Sequence, residues 1–501
     1  MRRRCTLGID IGTSSSKGVL VDPDGNILAS AVVHHEVERP RPGWVEMDGR
    51  VWWAEFVELV HRLRTAGDAE TDVEIVAVGV SGMGPCVLLA DVDDEPVRPA
   101  ILYGVDTRAN AQIARMTAEL GVESITRTGG SELTSQSAGA KIAWIADEEP
   151  AAFARAKRLF MPASWLVRRL TNAYVLDHQS ASQTSPLYEI ETGRWMTQRW
   201  DRYAPGIETP QLAWPGDVAG HVTDAAASAT GIAAGTPVIV GTIDAWSEAV
   251  SAGAHGVGDL MLMYGTTMFL IATGATTLRT PSMWTTVGVD PGSRNLAGGL
   301  ATAGALTTWV SRLVGADYPQ LLAEAAESGR GARGLLALPY FAGERTPILD
   351  PQARGVVAGL TLDHGRGDLY RAVLEATAFG VRHNIETMRA AGADIRRVVA
   401  VGGGTQGELW LQIVSDVTGL PQEVPAKTIG ASFGAAFLAA TATADEPPRI
   451  ADWNPIARTI HPDPAATAAY DALFELYREL YRDTTGVTHA LATRQTEGAT
   501  A

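Results

Sequence analysis

Two short segments, half the chain apart, constrain this sequence more than any other feature. Thr6-Leu7-Gly8-Ile9-Asp10-Ile11 runs into Gly12-Thr13-Ser14-Ser15-Ser16-Lys17, and apolar Val19-Leu20-Val21 follows. Met263-Tyr264-Gly265-Thr266-Thr267 repeats the theme in the second half. Each reads as a buried strand, a tight turn of glycine and hydroxyls, and a second strand. A turn without bulky side chains exposes backbone N–H groups. Hydroxyls and, in the first turn, an ammonium add donors, and such a nest suits phosphate oxygens. The pair predicts two related domains, each lending one hairpin to a shared cleft. Neither turn is a Walker loop, because Gly-x-x-x-x-Gly-Lys-Ser/Thr is absent from both.

The remaining pattern alternates strands and helices. Asp22-Pro23-Asp24-Gly25 marks a turn and Ile27 to Val33 is extended again, so the N-terminus predicts a three-stranded antiparallel meander. Phe56, Leu59, Val60 and Leu63 share one face of a helix over 52–63. Val73 to Val80 is a buried strand that ends in Ser81-Gly82-Met83-Gly84-Pro85. Helical patterns broken by Gly and Pro fill 108–235, and Trp144, Trp165, Trp195, Trp200 and Trp214 there read as core. Asp368 caps a long helix, and Val398 to Val401 is a strand that enters Gly402-Gly403-Gly404. Gly430 to Ala440 is a small-residue helix able to approach a neighbour very closely. From His489 the chain is polar and small, which predicts a frayed tail over 489–501.

Composition excludes several classes. Of 501 residues, 41 are Lys or Arg and 57 are Asp or Glu, a net charge of −16. That balance argues against a nucleic-acid partner, since a phosphate backbone needs a basic face. With 46% hydrophobic and 20% charged residues, the chain is neither disordered nor collagen-like nor a coiled coil. Cys5 and Cys86 are too few for a disulfide framework and fit a reducing cytoplasm. The uncharged run between Asp259 and Arg279 is long enough to span a membrane. Its glycines and threonines instead predict a turn between two buried strands, so no membrane partner is expected. No His-Glu-x-x-His or Cys-x-x-Cys is present, which argues against zinc.

Four constellations carry chemistry. Asp10, at a strand's end beside the first turn, is placed to hold Mg²⁺ through water. Gly241-Thr242-Ile243-Asp244 delivers a carboxylate into a turn where the second half begins. It reads either as a base for an alcohol attacking phosphorus or as a helix N-cap, and spacing alone favours the cap. Asp106 and Arg108, two apart in an extended loop, either grip polyol hydroxyls or form a structural ion pair. Gly402-Gly403-Gly404-Thr405-Gln406-Gly407 matches Gly-x-Gly-x-x-Gly, so a dinucleotide-binding dehydrogenase is a rival. The same loop would let adenosine lie against backbone.

In order along the chain, these pieces resemble the FGGY family of carbohydrate kinases, within the sugar kinase, Hsp70 and actin superfamily. Asp10 to Ser14 resembles its first phosphate loop, and Tyr264-Gly265-Thr266-Thr267 its second. Gly43-Trp44-Val45-Glu46-Met47-Asp48, Gly343-Glu344-Arg345-Thr346-Pro347 and Gly355-Val356-Val357-Ala358-Gly359-Leu360 resemble further family segments. The resemblance implies two ribonuclease H-like (actin-like ATPase) α/β domains flanking a catalytic cleft, over 1–244 and 245–488. It implies ATP and Mg²⁺ as cofactors, a small sugar or polyol as substrate, and a homodimer as a compatible assembly. Asp244 would be the catalytic base. Gly12, Thr13, Ser14, Ser15, Lys17, Gly265, Thr266, Thr267 and Gly304 would surround the phosphates. Gly402, Gly403, Gly404, Gln406 and Gly407 would border adenosine. Met83, Gly84, Tyr103, Asp106 and Arg108 would join Asp244 around the sugar.

The chain is most similar to the xylulokinase-like branch, with D-xylulose as the expected acceptor. It departs where that branch carries Gln-Met-His-Gly, because Gly82-Met83-Gly84-Pro85 lacks the imidazole. A pocket that loses a group built to bond a hydroxyl can change its substrate. Another ketose, a polyol or a sugar acid therefore stays open. A rival of another class is an actin-like ATP-binding switch, which would not need Asp244 as a base.

Overall fold

The structure is a computed structural model, and it describes residues 3–66 and 73–498. Two seven-stranded mixed sheets organise it. In the first, Arg3–Ile11 pairs antiparallel with Ser15–Val21 and parallel with Val73–Gly82. Ile27–His34 completes the expected meander. In the second, Asp259–Tyr264 pairs antiparallel with Met268–Gly274 and parallel with Arg397–Val401. Beyond the parallel neighbour, each sheet adds one more parallel strand and then an antiparallel edge strand. The short sequence echo is thus one end of a duplicated topology. The uncharged run after Asp259 is a hairpin, and among the described residues no helix is long and apolar enough to cross a membrane.

Both faces of Arg3–Ile11 are covered, which explains why the strand is buried from Cys5 onward. Helix Gly49–Ala66 packs on one face through Trp52, Phe56, Leu59 and Leu63. The other face receives helix Ala431–Thr443, which the chain supplies from its second half. Contact there is backbone to backbone. A Cβ on Gly8 would lie 1.9 Å from the Ser432 carbonyl oxygen, and one on Gly79 would lie 1.9 Å from that of Ala435. On its far side the same helix meets helix Asp244–Ser251, where a Cβ on Gly434 would lie 1.9 Å from the Ser247 oxygen. The small residues of this segment are what permit the approach. Residue 245 lies in helix Asp244–Ser251, which packs on helix Ala431–Thr443.

Two expectations change. The frayed tail from His489 is instead the end of helix Pro464–Gly498. His489 bonds Asp350 at 2.7 Å, Arg354 donates to Gln495 at 2.7 Å, and Ala492 is buried. Small and polar residues continue a helix when a neighbour docks it; residues 499–501 lie outside the described residues. Asp368 sits inside helix Arg366–Ala390, accepting from the Gly365 N–H and the Ser328 hydroxyl, so it bonds the cap and is not the cap itself.

Candidate active site

A cavity of about 330 Å³ opens where the two phosphate-type hairpins face each other. Asp10 ends its strand at this cavity, with Lys17 opposite it across the hairpin. Ser81 donates to Asp10 Oδ1 at 2.8 Å. Burial outweighs that bond and the lysine charge, and pushes the Asp10 carboxyl up to about 6. Asp244 begins helix Asp244–Ser251 and faces the same cavity. Burial, then the Asp10 charge, pushes it up to about 7. Among the described residues its Oδ1 accepts only the adjacent Ala245 N–H, at 2.7 Å. It therefore makes no N-cap bond to the helix's second or third N–H, and the cap reading fails on geometry.

The first loop is held from behind by groups that sequence spacing did not reveal. His35 bonds the Gly12 carbonyl at 3.1 Å through Nε2 and Glu55 at 3.0 Å through Nδ1. Ser16 donates to the same Glu55 at 2.5 Å. Thr13 Oγ1 and Tyr103 Oη lie 3.0 Å apart, which ties the loop to the cavity wall. Ser14 and Lys17 are exposed, and Ser15 is half-buried. The second loop is held by backbone N–H groups at the start of helix Gly304–Val314. Gly304 N–H donates to the Gly265 carbonyl at 3.0 Å, and Ala303 N–H to that of Thr266 at 3.1 Å. A Cβ on Gly304 would sit 2.6 Å from the Gly265 oxygen, so only glycine fits. The Gly402–Gly407 turn abuts this loop: a Cβ on Gly402 would lie 2.6 Å from the Tyr264 oxygen, and its φ is +91°. Gly403 faces open space and Gln406 is exposed. The strand before this turn lies in a mixed sheet beside an antiparallel hairpin, unlike the parallel sheet a dinucleotide-binding fold requires.

Three expected sugar residues lie elsewhere. Asp106 and Arg108 are buried against each other, with a 2.7 Å ion pair. Asp106 also accepts from the Val45 N–H, and Arg108 reaches Glu46 between the rings of Trp44 and Trp144. Their polar atoms are spent on one another, on Val45 and on Glu46, so the pair fixes the loop and does not line the cavity. Met83 is a core side chain, packed with Cys86 and Ile11. Gly84 and Tyr103 do line the cavity. The sequence reading missed Glu248, Trp246, Trp284 and Arg345, which line it too. Glu248 follows Asp244 by one helical turn, a spacing that places both on one face. Burial and the Asp10 charge push it up to about 7.

Comparison with known proteins agrees with this arrangement. A model of the N-terminal domain of the FGGY family of carbohydrate kinases matches residues 5–251, and the C-terminal model matches 260–443. The chain belongs to this family. It is 29% identical to the xylulose kinase of Escherichia coli (strain K12), over 95% of this chain and 98% of that one. It is 30% identical to the glycerol kinase of Nocardia farcinica (strain IFM 10152), over 88% of this chain and 90% of that one. The crystal structure of xylulose kinase from Rhodospirillum rubrum superposes with a TM-score of 0.90 at 31% identity, covering 97% of this chain and all of that one. The two-domain fold is thus the FGGY kinase fold, and the chain is an ATP-dependent sugar phosphotransferase.

Proposed function

We propose that the chain transfers the γ-phosphoryl group of ATP to a hydroxyl of a pentulose, D-xylulose first among them. The observation that carries the reading is Asp244, partly exposed at the cavity where both hairpin loops converge, with no cap bond to occupy its carboxylate. Near-full-length similarity to several xylulose kinases supports the acceptor class.

Asp244 takes the proton of the sugar hydroxyl as that oxygen bonds to the γ-phosphorus. The bond from phosphorus to the bridging oxygen breaks, and its electron pair leaves with ADP. A carboxyl near 7 is basic enough to accept a proton and still substantially ionised at neutral pH. Gly12, Thr13, Ser14, Ser15, Lys17, Gly265, Thr266, Thr267 and Gly304 line the phosphate path. The open face of Gly403, with Gly402, Gly404, Gln406 and Gly407, receives adenosine. Among the described residues no three His, Cys, Asp or Glu form a metal cage. The carboxylate of Asp10, which lines the cavity, would hold a Mg²⁺ ion through water together with the phosphates. Such an ion supplies charge neutralisation on the phosphate oxygens. Both cysteines are free and buried, which supports a cytoplasmic setting.

The second reading, another ketose, a polyol or a sugar acid, is favoured by Met83-Gly84-Pro85, which puts no imidazole at the wall. The test is ADP release from Mg-ATP against pentuloses, hexuloses, pentitols, glycerol and sugar acids. D-Xylulose should give the highest kcat/KM, and Asp244→Asn should lose about 10²–10⁴-fold in kcat while still binding ATP. Turnover that survives Asp244→Asn removes the base assignment. A stronger response to a hexulose, glycerol or a sugar acid removes the pentulose.

A further inference from the structure

Arg345 lines the cavity, yet the mechanism above gives it no task. Its Nη2 donates to the Leu300 carbonyl at 2.8 Å. Leu300 is paired with Met268, the residue that directly follows Thr267 of the second phosphate loop. The guanidinium is therefore anchored at the root of that loop. Across the cleft it faces Tyr103, and the two groups influence each other's ionisation. Tyr103 in turn holds Thr13 of the first loop. One guanidinium thus stands where both loops meet.

Its local partners leave it incomplete. Arg345 Nε is buried without a hydrogen-bond acceptor. Among the described residues, no carboxylate reaches ion-pair distance of the guanidinium. The adjacent acid is turned away: Glu344 Oε1 accepts the N–H groups of Ala301 and Arg345, both at 2.7 Å, and its Oε2 is itself unpartnered. The Trp284 ring centroid lies 5.8 Å from the guanidinium carbon and restrains it from one side. The half-buried guanidinium feels the Glu344 charge but makes no direct ion pair, and a buried donor left without an acceptor is costly until a ligand supplies one. A planar fork of N–H donors matches phosphoryl oxygens.

We propose that Arg345 is a further catalytic residue, whose guanidinium bonds the oxygens of the phosphoryl group while it passes from ATP to the sugar. The inference rests on the kinase reading. The bonds made and broken are those given above; Arg345 forms no covalent bond and keeps its protons. Its contribution is greatest while the group is between donor and acceptor, where charge is spread over the three oxygens.

Full-length wild type, Arg345→Gln, Arg345→Lys and Arg345→Ala are compared with Mg-ATP and D-xylulose, or with whichever panel sugar the wild type turns over. Arg345→Gln should lose about 10²–10³-fold in kcat, with KM for the sugar within about threefold of wild type. Arg345→Lys should recover only part of the loss, because an ammonium lacks the fork. Added methylguanidine should raise turnover by Arg345→Ala, which also controls for misfolding. A tenfold or greater rise in sugar KM with kcat intact would place the guanidinium on the sugar and overturn the inference. So would an unchanged kcat, or a folded Arg345→Ala that methylguanidine leaves inert. A wild type silent on every sugar sinks the kinase reading, and the inference with it. A wild type active beside an unaffected Arg345→Gln sinks the inference alone.

Discussion

Gly434→Ala adds one methyl group outside the cavity, and it should damage catalysis. The new Cβ would lie 1.9 Å from the Ser247 carbonyl oxygen and 2.8 Å from its carbon. Ordinary contact begins near 3.4 Å, so the two helices must separate by about 3.4 − 1.9 = 1.5 Å along that line. The obstacle is backbone, so no side chain can swing aside. Helix Ala431–Thr443 cannot retreat either, because Gly8 and Gly79 already touch its other side through backbone. The strain must pass in part to helix Asp244–Ser251, which carries the proposed base Asp244 one turn before Ser247. Overpacking of this kind costs about 1–3 kcal/mol, against about 1 kcal/mol regained from alanine's helix propensity. A displacement near 1 Å at a reacting group costs about 10²-fold in rate. Steady-state ADP release and denaturant unfolding of the same preparations measure both quantities. A kcat within about twofold of wild type would refute the claim that this contact sets the position of Asp244.

Two further predictions concern stability. Arg108→Ala leaves Asp106 buried and unpaired, and should cost about 3–5 kcal/mol in chemical denaturation; a loss under about 1 kcal/mol would mean that the ion pair is not structural. Asp177 accepts from Ser180 N–H and Thr242 Oγ1, yet burial pushes it from 3.8 up to about 6. A raised carboxyl contributes stability below its unfolded value and loses it as pH rises through the folded value. Relative to Asp177→Asn, wild type should therefore lose stability between about pH 4 and 6, and parallel unfolding curves across that window would contradict the assignment.

Local chemistry was legible where one segment carries it whole. Both hairpin loops, the Gly402 turn and the Asp244 turn were found from spacing, because each is a strand entering glycine, hydroxyl or carboxylate within a few residues. Support from other parts of the chain was not. Glu55 and His35 stand 20 residues apart and meet only because helix Gly49–Ala66 packs on the meander. Arg345 was visible as part of a family segment, but nothing in the sequence revealed that its Nε is buried without an acceptor. Asp106 and Arg108 show the opposite error. Two opposite charges in a loop suggest a ligand, and only the positions of Trp44, Trp144 and Glu46 reveal that the pair satisfies itself.

The sequence by itself determined the duplicated strand–turn–strand plan, the acidic globular character and the two turns that meet at the cavity. These depend on residue type and short-range periodicity, which a chain displays before it folds. Tertiary structure alone decided which carboxylates share a cavity, which arginine faces it with an open donor and which glycines hold helices in contact. Those properties are distances between segments hundreds of residues apart, and burial, which sets the proton affinity of Asp10 and Asp244, exists only once the two sheets have closed around the helices between them.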